Sequence, residues 1–217
     1  TSLTVLSSLC DRDLNEMKYL LNEIKKELPD KLYSHLSIGL SETLEKGNRL
    51  TFYGRYLKMT LSRKNFSIQN GSNYEPDKNI RRLSVSEIEQ IQNFYKESYP
   101  DNWFDKRMLE TGKYFGYFKE ESGKLTGISG VHVYSPVYKV AVLGNIATDP
   151  AIRGKSICRK TTTALCRDLF ESVDIIGLNV SRENIAAIKS YENIGFEITG
   201  EYEEYMIEKK QLSSLAN

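Results

Sequence analysis

Between Asp13 and Leu28, apolar residues fall at Leu14, Met17, Leu20, Leu21, Ile24 and Leu28, a spacing that gathers them on one face of an amphipathic helix. After Pro29-Asp30 the pattern restarts at Leu32, Tyr33, Leu36, Leu40 and Leu44 and stops at Gly47, which predicts a second helix. From Leu50 to Leu61 the period drops to two. Leu57, Met59 and Leu61 fall on one side and Tyr56, Lys58 and Thr60 on the other, as in half-buried strands. The run from Asn65 to Asp77 is rich in Asn, Ser and Gly and reads as a connector, with the boundary near Ser72 to Lys78.

The pattern then resumes with a short strand at Ile80 to Leu83. Ser86 precedes an apolar-periodic helix through Ile88, Ile91 and Phe94-Tyr95, and Glu89 completes a capping signal. An aromatic stretch, Tyr99 to Phe104, leads to a second helical piece ending near Gly112. Alternating runs at Tyr114 to Phe118, Leu125 to Tyr134 and Val140 to Thr148 predict an antiparallel meander with a turn at Glu121-Ser122-Gly123. Beyond Pro150 the order becomes helix (Ile157 to Val173), strand (Ile175 to Val180), helix (Ile185 to Ile194), then strands from Phe196 to Ile207. This is an α+β pattern containing one βαβ element, without internal repeats.

The chain has 217 residues, enough to bury a real core in one large domain or in two units. Lys plus Arg (30) nearly balance Asp plus Glu (29), so no overall field would gather nucleic acid or an anionic membrane. Neither is expected as a partner. Cys10, Cys158 and Cys166 are odd in number and lack paired metal-ligand spacing, which argues for reduced thiols and against a disulfide framework or a structural metal. No apolar run approaches the roughly 18 residues of a membrane helix, and Thr1 to Leu9 lacks a basic segment followed by a full apolar one. A cytoplasmic location is the expectation.

The candidate chemistry lies between Leu143 and Tyr205. A strand ending LGNIATDP runs into the loop Arg153-Gly154-Lys155-Ser156-Ile157-Cys158, which opens onto a helix. Unpaired N–H groups and the dipole at a helix start favour negative charge, and Arg153 and Lys155 would add charge-assisted bonds to a diphosphate. An ordinary cationic turn fits the same residues equally well. Further on, Asn184 caps a helix that Gly195 ends, and Asn184, Ala187, Ile188 and Tyr191 share one of its faces. By periodicity alone Tyr191 reads as a core aromatic.

IATDPAIRGKSICRKTTTAL followed by LNVSRENIAAIKSYENIGFEITGEY resembles the GNAT acetyltransferase superfamily. That family's pattern runs Arg/Gln-x-x-Gly-x-Gly/Ala at a helix start, then a strand, then Asn-x-x-Ala-x-x-x-Tyr-x-x-x-Gly-Phe. Asn184, Ala187, Tyr191, Gly195 and Phe196 stand where the second half has them. Ser156 and Cys158 stand where the first half usually has Gly and Gly/Ala, adding side chains beside the phosphate loop. The resemblance spans about residues 79–209 and is sharpest over 146–196.

The resemblance implies a mixed, mostly antiparallel sheet flanked by helices over 79–217; the pattern of apolar positions places a smaller α+β unit at 1–72 ahead of it and a linker at 73–78. It implies acetyl-CoA or another acyl-CoA as co-substrate and no metal. The pantetheine arm would lie along Asn145, Ile146, Ala147 and Thr148, the diphosphate on Arg153, Gly154, Lys155, Ser156, Ile157 and Cys158, and Asn184 would bond the arm. A neutral amine would attack the thioester directly, N–H groups near Ile146 and Ala147 would stabilise the oxyanion, and Tyr191 would protonate the leaving thiolate. The acceptor would be an amine-bearing small molecule, an amino acid or a protein amino group, and dimerisation is common in the family. His132, Glu201, Glu203 and Glu204 read as solvated or cross-strand-paired residues, which leaves the general base open. Cys158 reads as a small packing residue rather than a nucleophile. The alternative is a non-catalytic acyl-CoA-binding or partner-binding module with a degenerate phosphate loop.

Overall fold

The computed structural model describes residues 3–10, 12–70 and 75–210, with the side chains of 67–70 left aside. Six helices and nine strands run through these residues: β1 (Thr4–Ser8), α1 (Leu14–Ile24), β2 (Lys31–Ser37), α2 (Ser41–Glu45), β3 (Asn48–Ser62), α3 (Arg63–Asn70), β4 (Ile80–Arg82), α4 (Ile88–Ser98), β5 (Phe115–Phe118), β6 (Leu125–Ser135), β7 (Val140–Thr148), α5 (Ile157–Leu169), β8 (Ile175–Ser181), α6 (Ile185–Glu192) and β9 (Glu197–Lys209). The strands form an open, mixed sheet in the order β1-β2-β9-β3-β8-β7-β6-β5-β4, with helices flanking it. The chain divides into two compact units. One holds residues up to Lys58 with Ser181–Glu183 and the strand from Thr199 onward, and the other holds Met59–Val180 with Asn184–Ile198.

In the first unit β2 pairs in parallel with β1 and antiparallel with β9. Leu32 and Leu36 of β2 and Ile207 of β9 join Leu21 of α1, Leu40 and Leu44 in an apolar core. The Leu32 to Ser37 segment is therefore a strand, not the start of a second helix. Leu32 and Leu36 are spaced to suit a helix as well as one face of a strand, and pairing with β1 and β9 decides between them. The opposite face of β2 carries Tyr33 and His35, and both side chains meet Glu204 of β9. Residues 197–209 make one continuous strand where a series of strands was expected.

The second unit contains the antiparallel run β4-β5-β6-β7 and the parallel pair β7/β8 linked through α5, as the meander and βαβ patterns predict. Successive residues of β6 look to opposite faces. Ser129 Oγ meets Thr161 and Thr162 of α5 at 2.8 and 3.0 Å, whereas a Cβ on Gly130 would strike the Tyr114 ring. Tyr114, Phe104 and Tyr95 of α4 form the aromatic layer on that second face, with ring centroids 5.2 and 5.9 Å apart.

Three local expectations are revised. Residues 65–70 of the expected connector belong to α3, while 71–74 lie outside the described residues. The capping box before α4 is set by Ser84 and Glu87, not Ser86 and Glu89, because a short 3₁₀ turn over Val85–Glu87 precedes the helix. The helical piece before Gly112 is likewise 3₁₀, over Lys106–Thr111, and Gly112 ends it at φ +64°.

Candidate active site

β7 carries the first part of the site. Its ladder with β8 consists of Val140, Ala141 and Val142 opposite Ile175, Ile176 and Gly177. Beyond Val142 the two strands have no paired residues, so among the described residues Leu143 to Thr148 presents an unpaired edge on that side. On its other edge β7 stays paired with β6, with Ala147 opposite Ile128 and Thr148 opposite Gly127. Unpaired strand N–H and C=O groups require a partner, and an amide-bearing chain laid along them would supply one. Thr148 Oγ1 is buried without a hydrogen-bond partner among the described residues.

The register within β6/β7 shifts twice. His132 is an extra residue between Val131 and Val133, whose partners Leu143 and Val142 are adjacent. Asn145 and Ile146 together face Ser129 alone, and Asn145 takes φ +56°. A left-handed residue at the head of a bulge turns its carbonyl out of the ladder. Tyr95 Oη donates to that carbonyl at 2.8 Å, and the Asn145 side chain is buried between Tyr114 Oη (2.8 Å) and His132 Nε2 (3.0 Å). Asn145 thus has its polar groups engaged within the protein and shapes the strand, whereas Ile146, Ala147 and Thr148 are half-buried at the edge.

The strand leads through a Pro150–Ile152 turn into the basic loop. Gly154 has φ +82° with open space where a Cβ would stand, and Ser156 has φ +59°. Ser156 therefore holds the left-handed backbone that suits Gly, in the position where the family pattern has Gly. Lys160 N–H donates to the Ser156 carbonyl at 2.9 Å as the first turn of α5 closes, and no side chain caps the helix. The N–H groups of Ile157, Cys158 and Arg159 thus lack an i−4 carbonyl inside the helix and remain available to an anion. Arg153 and Lys155 are exposed and make no ion pair among the described residues, whereas Lys160 is taken by Asp77 at 2.8 Å.

α6 supplies the remaining residues. Asn184 is exposed, and its Oδ1 accepts from Ala187 N–H at 3.2 Å, while no described residue engages its NH₂ group. Tyr191 is buried, its ring edge-on to Phe196 at 5.8 Å. Burial, with a smaller contribution from Cys158 nearby, pushes its phenol well above the usual range, so the hydroxyl keeps its proton at neutral pH. No described residue hydrogen-bonds that hydroxyl. Burial also raises the Cys158 thiol, and hydrogen bonding to Ser190 and Thr162 only partly opposes it, which makes Cys158 a poor nucleophile. Among the described residues, no three His, Cys, Asp or Glu side chains are grouped to hold a metal ion.

One feature is not legible in the sequence and one is legible only in part. Tyr95 and Tyr114 look like core aromatics in periodicity, and only their hydroxyl partners show that they brace the bulge. Glu204 is buried in the first unit and accepts from Tyr33 and Tyr202. Of the two alternatives open for Glu204, the cross-strand pairing holds, with Tyr33 and His35 of β2, and only its burial lay beyond the pattern.

A family model of the acetyltransferase (GNAT) family matches residues 85–196, just over half of the chain. No curated protein matched. Among solved structures, the fold resembles a GNAT-family protein from Novosphingobium aromaticivorans at TM-score 0.63 and 16% identity, covering 87% of this chain and 80% of that one. A GNAT acetyltransferase from Colwellia psychrerythraea superposes at TM-score 0.62 and 16% identity, covering 89% and 72%. A tandem GNAT protein from the clavulanic acid biosynthesis pathway does so at TM-score 0.60 and 13% identity, covering 89% and 69%. The arrangement of parted strand, basic loop and capped helix, and the match that contains it, together make this chain a member of the acetyltransferase (GNAT) family.

Proposed function

We propose that the protein is an N-acyltransferase that moves an acetyl or other acyl group from acyl-CoA to a primary amine by direct attack. The observation that carries this reading is the β7 edge left open beyond Val142, which runs into the uncapped N-terminus of α5. One surface offers strand groups to an amide-bearing arm and helix N–H groups to a diphosphate. Ile146, Ala147 and Thr148 would hold the arm, with Asn184 bonding it from α6. The N–H groups of Ser156, Ile157 and Cys158, with Arg153, Gly154 and Lys155, would hold the diphosphate. Bound acyl-CoA supplies the activated acyl group. Strand N–H groups near Ile146 and Ala147 are suited to stabilise negative charge on the carbonyl oxygen, and Tyr191, held protonated by burial, is suited to protonate the departing sulfur.

In this reading residues 79–217 form the acyltransferase domain and 1–72 an accessory unit. The acceptor is an amine-bearing small molecule, an amino acid or a protein amino group. The side chains at Ser156 and Cys158 favour a second reading, a binder of acyl-CoA without turnover. Tyr191→Phe separates the two. Amine-dependent release of CoA thiol that falls at least about 100-fold, with acyl-CoA binding retained, supports catalysis. An unchanged rate would remove Tyr191 from the mechanism, and a wild-type protein that binds acyl-CoA but acylates no amine in a broad panel would favour the binder.

A further inference from the structure

We infer that His132 accepts the proton from the attacking amine, and that Tyr114 and Asn145 fix the tautomer that leaves its Nδ1 free to do so; this rests on the acyl transfer proposed above. A chain of donors and acceptors runs from the Val131 carbonyl to His132. The Val131 carbonyl can only accept, so Tyr114 Oη, 3.0 Å away, donates its single proton there in preference to the weaker thioether acceptor Met108 Sδ at 3.3 Å. Tyr114 Oη then accepts from Asn145 Nδ2 at 2.8 Å. With the NH₂ end of the amide committed, Oδ1 is the end that faces His132 Nε2 at 3.0 Å. An amide oxygen only accepts, so Nε2 carries the ring proton, and in a neutral imidazole Nδ1 is the bare, basic nitrogen. His132 is exposed, and no described residue engages its Nδ1.

The backbone sets the ring's place as firmly as the side chains do. His132 is the extra residue of the β6 bulge, and its ring lies so close over Gly144 that a Cβ there would come within 2.3 Å of it. Gly144 precedes Asn145 and the open edge at Ile146 and Ala147 where the acyl group is proposed to lie. His132, Tyr114 and Tyr95 are gathered around Asn145, on the face of β6 opposite Ser129, which hydrogen-bonds to α5.

The reaction requires such a group. Alkylamines titrate about three pH units above neutrality, so the acceptor must shed protons to attack. The acceptor first gives its ammonium proton to solvent; as the C–N bond forms and the C–S bond breaks, the neutral amine gives one proton to His132 Nδ1 and Tyr191 gives its hydroxyl proton to the sulfur. His132 then passes its proton to water, and Tyr191 regains one from solvent, so both residues end as they began.

His132→Gln is expected to lower kcat with the best amine about 100-fold or more, while the rise in melting temperature caused by acetyl-CoA is unchanged. Tyr114→Phe, which keeps the ring and removes only the hydroxyl that orients Asn145, is expected to lower kcat about tenfold without raising KM for acyl-CoA. In ¹⁵N-histidine NMR of the free wild-type protein, His132 is expected to carry its proton on Nε2. A kcat for His132→Gln within twofold of wild type overturns the inference while leaving acyl transfer standing. A proton on Nδ1 overturns it whether or not an amine has been found. Failure of the wild-type protein to acylate any amine sinks the acyl-transfer reading and the proton-acceptor role together.

Discussion

Nε2 of His132 lies 3.0 Å from Oδ1 of Asn145, and each residue belongs to a bulge on its own strand. Two opposed bulges in one ladder bend and twist it, and here they lie beside the point where β7 parts from β8. The tyrosines that brace Asn145 are both buried, Tyr114 fully and Tyr95 almost so. A left-handed Asn costs about 1 kcal/mol of backbone strain and persists because three hydrogen bonds over-determine it. The open edge is thus a product of packing.

Ser156→Gly tests the loop. Ser156 sits at φ +59°, where a side chain is strained and Gly is not, although Gly adds freedom to the unfolded chain. The net gain is expected at about 0.5–1 kcal/mol, read as a rise in melting temperature of roughly 1–4 °C. Acyl-CoA should bind at least as tightly. A lower melting temperature would show that the hydroxyl makes a compensating interaction.

Gly195→Ala should be severe. Its φ is +110°, and an added Cβ would stand 2.8 Å from the Asn65 carbonyl oxygen, a backbone atom that cannot swing away. Strain and clash together should cost about 2–3 kcal/mol in chemical denaturation. A loss under 0.5 kcal/mol would mean that the α6 C-terminus is more plastic than its contacts show.

Glu87 gives the fold a pH dependence. Burial pushes its carboxyl up, but Arg81 at 2.6 Å and the Ser84 and Ser86 groups outweigh this and hold it at about 2, against an ordinary 4.5. A carboxyl depressed on folding contributes stability that is complete above about pH 4.5 and is lost as pH falls toward 2. After discounting for solvent screening, the contribution is about 1 kcal/mol. Glu87→Gln should lower stability at pH 7 and flatten the loss between pH 5 and about 2 in urea titrations. Parallel curves for the two proteins would contradict this.

Much of the second unit is legible in the sequence because its signals are local. Alternation gives β5 to β7, and Asn184 and Gly195 mark the ends of the α6 segment as cap and stop. The first unit is less legible. Leu32, Leu36 and Leu40 satisfy a helical and a strand spacing alike, and partners far along the chain choose the strand for 31–37. β1 offers only a short apolar run, Thr4–Ser8, which gains meaning from pairing with β2. The bulge network was hidden for a related reason. A buried Tyr in a strand pattern reads as core, and nothing local tells that the Tyr114 hydroxyl orients an amide 31 residues on.

If the edge of β7 and the start of α5 hold acyl-CoA, a melting titration with acetyl-CoA and with desulfo-CoA will show it. Both ligands carry the arm and the diphosphate, so both should stabilise the protein, by about 2.7 kcal/mol at a hundredfold excess over the dissociation constant. No shift with either ligand would mean that the side chains at Ser156 and Cys158 close the site and would contradict the account at its base.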